Sequence, residues 1–287
     1  FIFLYHMSLT SELSKSQSPI YQFFHQNFQI DNFLKENNEL ISSSYTIKPS
    51  YMKDYPWADI GHITEYLMLL HMNLPFPELF PMRLGKAHIK NESFQNLHKA
   101  LSEKYKNINS FFSDKTKFTI LCNDLFKLSK VEGLIRGNIK FTFSELNSFY
   151  LQPHMLNDLL HLYFESLKVN ELINNPSIPF VYNPHFDLSI KIKGADADLY
   201  FKYPNGNYLI DLKTTIRPSI TKDMIYQLLG YVFLDTSNSH NITDIGVYLT
   251  RQNLISKWNI NEIINRYTTF HSTRNAQDEF VKILFTI

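Results

Sequence analysis

Leu199-Tyr-Phe-Lys-Tyr-Pro204-Asn-Gly-Asn-Tyr208-Leu-Ile-Asp211-Leu-Lys213 reads as two strands, 199–203 and 208–213, joined by a turn at Pro204-Asn-Gly-Asn207, with Asp198 standing just before the first strand. Asn-Gly flanked by alternating apolar residues is a strong short-range hairpin signal. A hairpin closed there carries Asp198 and Asp211 to one another's side. Side chains alternate along a strand, so Asp211 and Lys213 share a face while Leu212 points to the other. One face of the hairpin is therefore expected to carry two carboxylates and an ammonium.

That combination suits a hard divalent cation. Mg²⁺ takes oxygen ligands, commonly one or two carboxylates completed by waters and substrate phosphate oxygens. A lysine beside such a cation can hold an attacking water and offset charge that builds on phosphorus. An acid two residues before a lysine is a short pattern and weak alone, but of all the lysines in this chain only Lys213 has one.

Outward from the hairpin, Leu188-Ser-Ile-Lys-Ile-Lys193 alternates as a half-buried strand would, and Gly194 after it lets the backbone turn or approach a ligand closely. Asn183-Pro-His185-Phe looks like a turn leading the chain into the sheet, with His185 either near the site or simply at the surface. Asp196 and Asp198 both lie on the stretch before Leu199, and either could be the site acid. Downstream, residues 220–234 have helical periodicity and set Gln227 and Tyr231 at i and i+4, on one helix face. Residues 244–251 and 254–258 read as two further strands. Arg251, ending the first, is either a phosphate contact or a structural surface residue. Far upstream, Pro56-Trp57-Ala-Asp-Ile-Gly61-His-Ile-Thr-Glu65 begins an apolar helix in which a carboxylate needs a partner.

The ordered set Gly61-x-x-x-Glu65, Gly194-x-x-x-Asp198, Asp211-x-Lys213 and Gln227-x-x-x-Tyr231 resembles the PD-(D/E)XK nuclease superfamily in its RecB-like branch, over roughly residues 55–72 and 180–258. The resemblance implies an α/β protein with a restriction-endonuclease-like core, a mixed central sheet flanked by helices, plus a helical N-terminal region and insertion. It implies Asp198 and Asp211 as metal-binding acids, Lys213 as the catalytic lysine, and Gln227 and Tyr231 as the helix pair that orients the site and touches nucleic acid. Glu65 would complete the metal shell, although many relatives carry a histidine at that spacing. The expected cofactor is Mg²⁺ or Mn²⁺. The expected activity is hydrolysis of phosphodiester bonds in nucleic acid, DNA rather than RNA, in phage defence or repair. The alternative is a catalytically inactive nucleic-acid-binding or scaffold subunit. A second copy of the chain, or a helicase or defence subunit, would be its protein partner.

Composition agrees with a packed enzyme. In 287 residues, 44% hydrophobic and 15% aromatic, there is ample material for a core and little sign of disorder. The single Cys122 excludes an intrachain disulfide framework, a multi-cysteine zinc site and a four-cysteine iron–sulfur cluster, and suits a reducing cytoplasm. No run approaches a membrane span, and Phe1-Ile-Phe-Leu-Tyr5 is too short for a signal peptide, which leaves Met7 as an expected start. A net charge of +1 announces no tight, nonspecific coating of DNA. The eleven histidines are scattered, and the pairs His62/His71 and His154/His161 are expected to serve packing.

Elsewhere helical spacing predominates, at 21–28 and 30–40 after a Ser18-Pro19 start signal, and at 93–113, 116–136 and 142–168. Breaks are expected at Ser113-Asp114, at Gly137-Asn138 and in the proline-rich connector 74–81. The expected organisation is an N-terminal helical arm at 1–54, a core helix carrying Glu65 at 55–73, a helical insertion at 74–176, and the nuclease core with C-terminal helices at 177–287.

Overall fold

The computed structural model describes residues 8–136, 140–175, 177–192 and 196–286. Gly194, the Gly137-Asn138 break and Met7 lie outside them. The chain divides into two compact units, one holding residues 47–175 and the other holding 8–46 together with 177–286.

The second unit is built on a mixed five-stranded sheet, β1 (Phe180–Tyr182), β2 (Leu199–Tyr203), β3 (Gly206–Lys213), β4 (Asp244–Leu249) and β5 (Leu254–Asn259), in the spatial order β1-β2-β3-β4-β5. All neighbours run antiparallel except β3 and β4. Parallel neighbours need a crossover, and the helix at Lys222–Leu234 supplies it. Three helices from the chain's first segment, α1 (Leu9–Leu13), α2 (Pro19–Asn27) and α3 (Asp31–Ser42), belong to this unit. The Ser18-Pro19 signal holds, since the Ser18 hydroxyl accepts from Ile20 N–H and Pro19 opens α2.

The apolar residues of those N-terminal helices join the core of the sheet unit. Phe23, Phe24 and Phe28 cluster with Phe233 and Phe280, and Phe24 stacks on Tyr226 at 4.9 Å between ring centroids. The stretch expected as an N-terminal helical arm is therefore split between the units, with the break at 46/47 and not at 54/55.

The run 188–193, expected as a strand, forms a 3₁₀ turn over Ser189–Ile192. Its burial explains the difference: Ser189 and Ile192 are buried while Ile190 between them is 78% exposed, a three-residue spacing that no pleated strand produces. The edge strand is instead β1, six residues earlier. Residues 244–251 and 254–258 form strands much as expected, the first stopping at Leu249 before a 3₁₀ turn over Thr250–Gln252.

The hairpin loop is Pro204-Asn205, and Gly206 is the first residue of β3 with φ +150°. Gly246 in β4 has a different constraint: a Cβ there would lie 2.7 Å from the Ser256 carbonyl oxygen and 2.7 Å from Ile210 Cδ1. Gly246→Ala is expected to lower unfolding free energy by about 1–3 kcal/mol through overpacking. Denaturant titration checks this, and an unchanged midpoint would show that β4 and β5 can separate without loss.

The first unit is helical: α4 (Trp57–His71), α5 (Phe80–His88), α6 (Glu92–Lys104), α7 (Asn109–Phe112), α8 (Lys115–Ile135) and α9 (Pro153–Glu165). The connector 74–81 is partly helical, and the expected helix 142–168 is broken, with Pro153 opening α9. Helix α4 packs on α8 and α9 and is buried on nearly all sides, from Ile60 and Ile63 to Leu69 and Leu70. The Glu65 helix thus belongs to the helical unit, not to a segment of its own or to the sheet unit. Two sheet-unit helices complete the chain after the crossover helix α10 (Lys222–Leu234): α11 (Ile260–Tyr267) and α12 (Thr273–Leu284). Among the described residues no helix is long and apolar enough to cross a membrane.

Candidate active site

The last ladder pair of β2 and β3 is Leu199↔Ile210, which sets Asp198 and Asp211 next to one another just beyond it. The ladder stops there because a side chain takes over: Leu212 N–H donates to Asp198 Oδ2 at 2.7 Å. On the other flank, β1 continues past its last pair, with Asn183 N–H donating to the Asp198 carbonyl at 3.1 Å. Asp198 is thus fixed from both sides at the point where the strands begin to part.

Asp211 is 1% exposed and lies on β3, flanked by β2 and β4. Lys213, two residues on, places Nζ 2.6 Å from Asp211 Oδ2. Period-two alternation on β3 produces this pair, as the sequence leads one to expect. Burial pushes the Asp198 carboxyl up to about 7, and the Asp211 carboxylate adds to the rise; the Lys213 ammonium and the Leu212 N–H oppose it.

Helix α10 brings its polar face to these acids. Thr221 caps it, accepting from Met224 N–H, and Asn38 of α3 brackets Ile220 just before it by accepting its N–H at 2.7 Å and donating to its carbonyl at 2.9 Å. Gln227 Nε2 donates to the Tyr231 hydroxyl at 2.9 Å, so the i, i+4 pair does meet. The Tyr231 ring stacks on Phe186, with centroids 5.9 Å apart. Burial above all keeps its hydroxyl protonated; the Gln227 bond acts the other way, and the carboxylates of Asp211, Asp198 and Asp196 reinforce the rise. Tyr231 thus lies in the field of three acids.

Asp196 has another partner. Its Oδ1 is 2.6 Å from His185 Nδ1, and the two side chains are 26% and 64% exposed. This contact was not legible in the sequence, because it depends on β1, which no alternation pattern announced. With Asp196 engaged by His185 and Asp198 set against Asp211, the preference for Asp198 over Asp196 has a geometric basis.

Arg251 differs from both expectations for it. It is wholly buried, 0% exposed, in the turn whose neighbours Thr250 and Gln252 donate to the Thr214 hydroxyl and the Thr215 carbonyl. A side chain so enclosed is neither a surface residue nor open to a phosphate.

Glu65 lies in the helical unit, where its charged neighbour is Arg136. Burial works against the Arg136 charge, but Glu132, which accepts its Nε–H at 2.6 Å, outweighs this, and Glu65 and Tyr66 add to it; the guanidinium is held above its ordinary range. The partner demanded by a carboxylate on an apolar helix is thus available without a metal. Gly61, four residues earlier, has nothing within 4 Å of where a Cβ would be. His71 is held between the Tyr163 hydroxyl and Asn174, and Cys122 is buried and free.

Among the described residues no three His, Cys, Asp or Glu side chains converge as a ready metal cage. What the site offers is two adjacent carboxylates at the end of a hairpin. That donor set fits Mg²⁺ or Mn²⁺, which need only one or two carboxylates when waters and phosphate oxygens complete the shell. It does not fit zinc, whose structural sites use four protein ligands of nitrogen or sulfur. No protein-family model, curated protein or solved structure matches this chain.

Proposed function

We propose that the sheet unit is a restriction-endonuclease-like core and that the protein is a PD-(D/E)XK-type, Mg²⁺- or Mn²⁺-dependent nuclease acting on DNA rather than RNA. The observation that carries this reading is the adjacency of Asp198, Asp211 and Lys213. Two neighbouring carboxylates in a protein interior repel each other, and a divalent cation between them turns that cost into binding energy. When bound, a divalent ion would supply Lewis-acid polarisation of a phosphate oxygen and acidify a water.

The chain's own residues do the rest. Asp198 and Asp211 would hold the ion through their carboxylate oxygens. Asp211 keeps Lys213 charged and in place, so that its ammonium can donate to the attacking water and to charge developing on phosphorus. Gln227 orients the Tyr231 hydroxyl, which stays protonated and serves as a donor toward the acids. Glu65, whose charged neighbour in the helical unit is Arg136, is given no part in holding the ion.

Purified protein incubated with linear duplex, circular duplex and single-stranded DNA, and with RNA, in Mg²⁺, Mn²⁺ or EDTA, tests the reading. Metal-dependent cleavage of DNA is expected, falling by about 10²–10³-fold in Lys213→Ala, the loss typical of one electrostatic donor. Intact substrates under every condition would overturn the enzyme reading in favour of a nucleic-acid-binding or scaffold subunit.

A further inference from the structure

Hydrolysis with water as nucleophile needs a place for the water's proton, and the residues already assigned leave that place open. Lys213, as an ammonium paired with Asp211 at 2.6 Å, has donors and no lone pair. The Tyr231 hydroxyl is held protonated by burial. Asp198 and Asp211 are committed to the cation in the reading above.

One further group at this edge has the right chemistry. β1 and β2 pair up to Tyr182↔Leu199, the Asn183 N–H to Asp198 carbonyl bond continues the register, and His185 meets Asp196 two residues further along. Asp196 is then about 7 Å along the chain from Asp198, the rise of two extended residues. A carboxyl oxygen accepts, so the 2.6 Å contact is a hydrogen bond in the tautomer that carries its hydrogen on His185 Nδ1. The lone pair of the neutral ring is thereby left on Nε2. The imidazole is 64% exposed, which opens it to water and substrate.

We propose that His185 is the base of this site, with Asp196 fixing its tautomer and ring orientation. The inference rests on the nuclease reading. As the water oxygen bonds to phosphorus, one water proton passes to His185 Nε2. The bond from phosphorus to the leaving sugar oxygen breaks, and that oxygen takes a proton from solvent. The exposed imidazolium then returns its proton to solvent, and the site is restored.

The test uses the full chain, saturating Mg²⁺ and whichever DNA the wild-type protein cleaves. His185→Ala is expected to lower kcat by about 10²-fold or more, the usual contribution of a general base, with KM for DNA and the Mg²⁺ requirement unchanged. Added imidazole is expected to restore cleavage to His185→Ala and not to Lys213→Ala. Asp196→Asn is expected to lower kcat less and to respond less to imidazole, since its base is still present. Thermal unfolding of His185→Ala should match wild type, the ring being exposed, and His185→Gln provides a second variant with the same expected kcat loss. Wild-type DNA cleavage with His185→Ala at full rate would overturn this inference and leave the nuclease standing. So would loss of activity that imidazole does not rescue, or a raised Mg²⁺ requirement, which would make His185 a structural residue or a ligand. A wild-type protein inert on every polymer would overturn the nuclease reading itself.

Discussion

Asp211→Ala is expected to reduce metal-dependent DNA cleavage by about 10³-fold or more, since losing a cation that stabilises several kcal/mol of transition-state charge has that effect on rate. Two functions end together in this variant. In the nuclease reading the ion would lose the more deeply buried of its two carboxylates, and Lys213 loses the partner 2.6 Å away that holds its ammonium in place. The fold should survive. Asp211 is only 1% exposed, but its removal also relieves the like-charge repulsion on Asp198, and Lys213, 29% exposed, can extend to solvent. Far-UV circular dichroism and a melting curve close to wild type, alongside lost cleavage, are the expected pair of results. Cleavage at wild-type rate by correctly folded Asp211→Ala would remove the site from this hairpin.

Asp198→Asn is expected to make the metal-free protein more stable than wild type at pH 8. The folded protein keeps the Asp198 proton up to about pH 7, whereas an unfolded chain releases it near 3.9. Between those values the folded state binds more protons than the unfolded one, so stability is full below the lower value and declines as pH rises through the window. The decline is on the order of 2 kcal/mol, taking account of solvent screening around a partly exposed carboxyl. Asparagine carries no charge to desolvate, and its amide oxygen can still accept from Leu212 N–H. The difference between the two proteins should therefore be large at pH 8 and vanish near pH 4. Mg²⁺ at pH 8 should raise the melting temperature of wild type and not that of the variant, because only wild type gains a ligand. A variant less stable than wild type at pH 8 without metal would show that the Asp198 charge is stabilised in the fold and not penalised.

The hairpin and the helix after it were open to reading because the information is local. Alternation through Tyr208–Lys213 fixes which side chains share a face, and a four-residue spacing fixes Gln227 against Tyr231; both meet as expected. The opposition of Asp198 and Asp211 rests on a two-residue loop, Pro204-Asn205, shorter than the turn over 204–207 that the sequence suggests, because Gly206 and Asn207 join the ladder. What could not be read depends on partners distant in the chain. Alternation in 188–193 was outweighed by tertiary burial at a three-residue spacing, while β1, only three residues long, offered too few positions for any period to emerge. The Glu65 helix was legible as a helix, but a helix apolar on nearly every side gives no indication of which neighbours cover it. Arg251 looked like a surface residue because charge is normally solvated, and its burial reflects packing around Thr214 and Thr215 that no spacing in the sequence records.

The sheet unit is assembled from two stretches of chain separated by the whole helical unit, and this has a consequence for how the protein is made. Phe24 is synthesised about 200 residues before Phe233 and earlier still before Phe280, its eventual neighbours in the core. At roughly 5–20 residues per second of translation, α2 waits on the order of 10–40 s with its phenylalanines uncovered. The helical unit, continuous in sequence, can meanwhile complete its own core. A nascent chain of this protein therefore carries a sticky aromatic segment ahead of an already folded neighbour, and the N-terminal forty residues are where a holding chaperone would find its grip.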